Sequence, residues 1–168
     1  MSKVQEMARR NLCSVRFVGL AVFLFAIAVA RPGAAASPRQ WYNDWTYYPQ
    51  FGYYYSSYYY LPSAVEKSYR HYFCLYYPAH PRYVYYFDPQ AHLYVGRLDM
   101  QGESGHQYSA LAAKDRKEKL KEIPEDAFPK PGAMPPIPDS RDGELMEPVK
   151  ALPKAGGKQA GPPTATPK

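Results

Sequence analysis

The chain has 168 residues and a formal net charge of +6, a length that allows one modest domain. Residues 1–36 carry Lys3, Arg9, Arg10, Arg16 and Arg31 against Glu6 alone, which leaves 16 basic and 14 acidic residues in the remainder, a net of +2. That balance argues against a nucleic-acid binder, which needs a basic face.

Residues 1–16 are basic, and Phe17 to Ala30 is an unbroken apolar run of 14 residues. A bilayer core needs about 20. Arg31-Pro32-Gly33 ends the run, and Ala34-Ala35-Ala36 supplies small residues for cleavage. The pattern predicts a secretory signal peptide over residues 1–36. Cleavage after Ala28-Val29-Ala30 is the second possibility, and an uncleaved membrane anchor the alternative. A secreted or periplasmic, cell-envelope location is expected, with membrane contact only through this segment if it stays uncleaved. Cys13 precedes the apolar run, so it is not a lipidation cysteine. Cys74 is then the one remaining cysteine, and no internal disulfide is expected. Its neighbours Tyr72, Phe73, Leu75 and Tyr76 point to burial, because free Cys behaves as a small hydrophobe.

Seventeen of the 18 tyrosines lie between Tyr42 and Tyr94. Tyr53-Tyr54-Tyr55 and Tyr58-Tyr59-Tyr60 flank Ser56-Ser57. Runs of one residue type define no inside face for a strand. Residues 37–68 are therefore predicted as a Tyr-rich, partly ordered segment lying over a hairpin further along the chain. Ser63-Ala64-Val65-Glu66 has the form of a capping box, so a helix could run to about Phe73, while Tyr72 to Tyr77 would serve equally as a strand.

Arg82 to Asp99 reads as that β-hairpin. Tyr83 to Phe87 is aromatic and β-branched, Asp88-Pro89 is turn chemistry, and Leu93 to Leu98 returns with period two. Tyr83, Tyr85 and Phe87 share one side and Val84 and Tyr86 the other. A third strand is expected at Gln107 to Leu111 after the Gly102-Glu103-Ser104-Gly105 turn. The fold class is thus mainly β with a short helix. A small three-stranded antiparallel meander is expected, near the minimum for independent stability, flanked by Tyr-rich and Pro-rich low-complexity segments. The helix is placed at Lys114 to Glu122, supported by i,i+4 charge pairs and stopped by Pro124. The core then spans residues 69–123. Residues 124–168 contain 11 prolines and are predicted as a disordered Pro-rich tail, in which Met134-Pro135-Pro136-Ile137-Pro138 could dock into an aromatic groove.

The histidines are His71, His80, His92 and His106. His71 and Cys74 have the spacing of one helical turn, but a metal site needs three or four ligands together, and no further ligand stands at a recognisable spacing. There is no Gly-rich phosphate loop and no serine in a nucleophile-elbow context. The carboxylates cluster in the helix and tail, so a buried acid/base pair is not expected. No catalytic residue, metal or cofactor is assigned. Tyrosine combines apolar area with a polar tip at low entropy cost. Tyr54, Tyr55, Tyr58 and Tyr59, where strand faces are undefined, are the candidate binding residues.

Tyr85-Tyr86-Phe87-Asp88 with a short third strand resembles the WW domain, a three-stranded module that binds proline-rich peptides. The second strand lacks the later tryptophan and the closing proline is missing, so the WW groove does not carry over. Aromatic strands joined by Asp-Pro turns also resemble octamer-repeat tyrosine-rich modules, over fewer than 20 residues. From Tyr83 through Lys114-Asp115-Arg116-Lys117 to Phe128-Pro129-Lys130-Pro131-Gly132 and Met134-Pro135-Pro136-Ile137-Pro138, the chain is similar to small secreted bacterial Tyr-rich proteins of unassigned function. That similarity implies export and a shared architecture, and no activity or site residue. The expected function is an exported, non-enzymatic envelope or surface protein whose aromatic module engages a protein or polysaccharide of the envelope, with no nucleic-acid partner. The alternative is a secreted metal-dependent or hydrolytic enzyme using the histidines.

Overall fold

A strand made wholly of aromatic residues directs rings to both sides, and a sheet of such strands is stable when both sides are covered. The computed structural model describes residues 38–154. Among them are seven strands: β1 Gln40–Tyr42, β2 Thr46–Tyr48, β3 Tyr53–Tyr60, β4 Arg70–Tyr76, β5 Tyr83–Asp88, β6 Leu93–Asp99 and β7 Tyr108–Ala110. They form one antiparallel sheet in the order β1-β3-β4-β5-β6-β7, with β2 also paired to β3. β1 and β2 take the two halves of one edge of β3, Trp41 opposite Tyr59 and Tyr47 opposite Tyr54. Asn43 fills the gap between them. Its backbone N–H donates to the Ser57 carbonyl at 3.1 Å, and its side-chain oxygen accepts the Ser57 N–H at 2.5 Å. Breaking an edge strand in two shortens the template it offers to other chains.

The hairpin forms where its sequence implies, with Tyr83 opposite Asp99 and Asp88 opposite Leu93, but the period-two return expected over Leu93 to Leu98 is interrupted at Val95. The Asp88 carboxylate accepts the N–H groups of Gln90 (2.8 Å) and Ala91 (3.1 Å), and His92 closes the turn at φ 58°. A bulge at Val95 puts Tyr86 opposite Gly96 and Phe87 opposite Tyr94. Gly96 is required here, since a Cβ would run into the Tyr108 phenol and stand 2.7 Å from the Ser109 carbonyl oxygen. β7 supplies the expected third strand of this unit.

The chain after β7 covers both faces. One face carries Tyr53, Phe73, Leu75, Tyr85, Phe87 and Tyr94, and Leu111, Ile123 and Phe128 pack onto it. The other carries Tyr58, Tyr60, Cys74, Val84, Tyr86, Leu98 and Tyr108, and Ile137, Met146 and Val149 pack onto that. Between the two, the chain rounds the β7 edge, where Tyr108 and Gly132 exchange backbone hydrogen bonds at 2.9 and 2.8 Å. Proline has no N–H, so a proline-rich chain crosses a sheet face with few donors to satisfy. Each buried aliphatic or aromatic side chain contributes roughly 1.5–3 kcal/mol, which holds the belt without a helix.

Several expectations are corrected. The sheet has seven strands among the described residues, and the three-stranded meander is only its β5–β7 portion. The Tyr-rich segment builds β1, β2 and β3, so the core begins at Gln40 and not near residue 69. Residues 124–154 lie on the sheet, with Ile137 1 % exposed and Met146 3 % exposed, and are no solvated tail. Lys114 to Glu122 is two 3-10 turns, Ala113–Asp115 and Leu120–Glu122, because its few apolar residues must meet a sheet face and not a helix partner. The ambiguous stretch before the hairpin is the strand β4. The signal-segment expectation for residues 1–36 and the last part of the tail fall outside the described residues.

Candidate functional site

The residues singled out from sequence do not converge. Tyr58 is fully buried in the core and hydrogen-bonds Gln40 at 2.6 Å. Strand alternation puts Tyr54 with Tyr58 on one face and Tyr55 with Tyr59 on the other. Tyr54, Tyr55 and Tyr59 are half-buried. Tyr59 is stacked under the exposed Trp41, ring centroids 4.3 Å apart. His71 and Cys74, three apart on a strand, point to opposite faces. His71 is half-buried between the rings of Tyr59 and Phe73, and desolvation holds its pKa below the usual value. Cys74 is completely buried, and burial pushes its thiol far up. His80, His92 and His106 lie in three separate turns and are exposed. Among the described residues no group of three or more His, Cys, Asp or Glu side chains is placed to hold a metal.

The structure assembles another site. A cleft of about 640 Å³ opens on the face carrying Tyr85 and Tyr94. Its floor and one wall are aromatic: Tyr83 and Tyr85 from β5, Tyr94 from β6, and Tyr77 at the end of β4. The opposite wall is Leu120, Ile123 and Phe128 from the belt. His80, Lys121 and Glu125 supply the polar groups. The β4–β5 turn that carries His80 is fixed by backbone bonds, His80 N–H to the Tyr77 carbonyl at 2.8 Å and Tyr83 N–H to the His80 carbonyl at 3.2 Å.

Under this cleft lies Arg97, whose side chain is 8 % exposed. Its guanidinium sits over the rings of Tyr83 and Phe128, at 3.9 and 4.0 Å from their centroids. It donates two hydrogen bonds to the Glu125 carboxylate, at 2.8 and 2.6 Å. Such fork-to-fork pairing fixes both partners in a plane. These bonds hold the Glu125 carboxyl below the usual carboxylate range, so it stays ionised with its oxygens committed. Arg97 thus ties β6 to the belt through three residues that line the cleft, Tyr83, Glu125 and Phe128. The Tyr77 and Tyr94 hydroxyls meet at 3.0 Å. Burial pushes the Tyr77 and Tyr85 phenols up, so both remain protonated hydrogen-bonding groups at neutral pH. Behind Tyr77, at 5.3 Å between ring centroids, the Tyr53 hydroxyl is buried with no partner among the described residues.

Sequence reasoning places Tyr83, Tyr85 and Phe87 on one face but does not join them to Leu120, Ile123 and Phe128. The available signal is the spacing of these three apolar residues after β7, each isolated among charges and prolines. Set beside known proteins, this chain matches no family model, no curated protein and no solved structure.

Proposed function

We propose that the protein is an exported, non-enzymatic envelope or surface protein whose aromatic cleft engages an envelope polymer or protein. The observation that carries this reading is the cleft between β5, β6 and the belt, with four tyrosine rings and Phe128 around one opening. Pockets of roughly 300–1,000 Å³ with mostly apolar walls and a few polar groups are the usual form of ligand sites, and tyrosine is a favoured contact residue. The carboxylate in the cleft supports binding over chemistry, because Glu125 is held ionised by Arg97 and is not poised to exchange protons. Export is supported by the basic and apolar order of residues 1–30 and the small residues at 34–36.

Two measurements test the reading. Intact mass of exported material should show a chain beginning near Ser37. Purified protein lacking residues 1–36 should co-sediment with isolated envelope material, and Tyr77→Ala and Tyr83→Ala should weaken that retention while thermal unfolding stays cooperative. Retention lost instead in Tyr54→Ala, Tyr55→Ala and Tyr59→Ala, and kept in the cleft variants, would move the binding surface away from the cleft.

A further inference from the structure

We propose that the cleft takes an acidic glycan, a chain of pyranose rings that carry carboxylates; the inference rests on the cleft being the binding site. It rests first on the charges around the opening. Glu125 is the one carboxylate among the described residues that line the cleft, and it is neutralised by Arg97, whose Nη2 lies 2.6 Å away. Lys121 is exposed, lines the cleft and has no ion-pair partner among the described residues. His80 stands at the same opening, from a different segment. The surplus charge offered to a ligand is positive, and the complement is an anion.

The lining selects a sugar among anions. Four of the five rings are tyrosines, whose faces accept the C–H side of a pyranose and whose hydroxyls can exchange hydrogen bonds with its rim. The Tyr77–Tyr94 hydroxyl pair uses one proton between its two oxygens and leaves the other free to donate. An anion with an apolar body would leave that spare donor without a partner, which is unfavourable in a desolvated site. The cleft is open to the surface, so a sugar can enter it while the rest of a chain stays outside.

The test uses the protein lacking residues 1–36 and three probes: a galacturonic-acid trisaccharide, the neutral maltotriose and triglutamate. Titration calorimetry at low salt should show the galacturonate binding about five- to tenfold tighter than maltotriose, the size of one charge-assisted contact, and the difference should shrink as ionic strength rises. Lys121→Glu should erase the preference for galacturonate over maltotriose; the residue is exposed, so the variant should fold. Equal affinity for the two sugars, or a preference that survives Lys121→Glu, overturns the acidic-ligand inference while leaving a sugar cleft. Tighter binding of triglutamate overturns the glycan assignment. No binding of any probe overturns the inference, and retention on envelope material that still depends on Tyr83 would show that the cleft reading itself stands.

Discussion

The Arg39 guanidinium donates to the Asp142 carboxylate at 2.6 Å across 103 positions of sequence. The same guanidinium donates to the carbonyls of Leu61 (3.1 Å) and Pro62 (2.8 Å) and to the Ser140 hydroxyl (3.2 Å), and it also pairs with Glu144. Leu61 lies just after β3, Arg39 precedes β1, and Ser140 to Glu144 belong to the tight loop of the belt. One side chain therefore latches the far end of the belt to the sheet edge opposite β7. Gln40 and Trp45 extend the latch through bonds to the carbonyls of Leu145 (3.0 Å) and Ala151 (2.8 Å).

Arg39→Gln should release this end of the belt. Limited proteolysis should cut first between residues 138 and 145 in the variant, before any cut in β5 or β6, and Tm should fall. Arg39 holds the Asp142 carboxyl well below the usual carboxylate range. A depressed carboxylate contributes stability above its unfolded value, about 3.9, and loses it as pH falls through the folded value. Cleavage of the wild-type belt should therefore accelerate below about pH 4, and the variant should lack that acceleration. An unchanged first cut in Arg39→Gln would show that the belt is held by its apolar contacts alone.

Removing the partner of Arg97 leaves a buried guanidinium with fewer acceptors. Glu125→Ala should destabilise by about 1–2 kcal/mol in urea melts, the lower part of the range for orphaning a charged group, because Glu125 itself is largely exposed. Its depressed carboxyl contributes stability that is present above about pH 4.3 and fades as pH falls below it. Arg97→Lys should not restore the wild type, since an ammonium cannot fork onto the carboxylate or lie flat on Tyr83. Equal stability of Arg97→Lys and wild type would contradict this.

Gly96→Ala tests the bulge. The new methyl meets the Tyr108 phenol and the Ser109 carbonyl, and a backbone atom cannot swing aside as a side-chain tip can. Overpacking of this kind costs about 1–3 kcal/mol, and chemical denaturation should register a loss of that size. A neutral result would mean that β6 and β7 separate readily.

Cys74 offers a reporter of global opening. It is completely buried, and desolvation keeps the thiol protonated, whereas the thiolate is the reactive form. A thiol reagent added to native protein should label it only at the rate of unfolding, and labelling should become immediate in strong denaturant. Fast labelling of folded protein would place a local opening between β3 and β5.

Tyr58 and Tyr54 share a face of β3 but differ in cover. Tyr58→Ala should lose about 3–5 kcal/mol, as large aromatic truncations in cores do, and Tyr54→Ala less than half as much. Thermal melts of the two variants settle the point; equal losses would mean that both rings are core.

The hairpin is legible because its signals are local. Asp88 bonding two residues on, the alternation from Tyr83 to Phe87 and the strand after Gly105 each need only neighbouring residues. The burial of Cys74 is legible for the same reason. The tyrosine runs, taken by themselves, define no inside face, whereas β3 has buried residues on both faces, Tyr53 and Ser57 on one and Tyr58 and Tyr60 on the other, the arrangement of a strand covered on both sides. The cover itself is hidden. Ile137, Met146 and Val149 are spread among prolines and charges, and no periodicity connects them to a sheet more than 25 residues away.

The amino-acid sequence by itself determined the order of β5, β6 and β7, the side on which each β5 residue from Tyr83 to Phe87 points and the single buried thiol of the sheet, because backbone stereochemistry and turn chemistry act over a few residues. Tertiary structure alone decided that the Pro-rich chain is a belt, that Arg39 closes it, and that Tyr77, Tyr85, Phe128 and Lys121 meet around one cleft. Those contacts join residues tens of positions apart, and their free energy comes from the apolar area removed from water when separate segments share a face, a quantity that exists only once the sheet has formed.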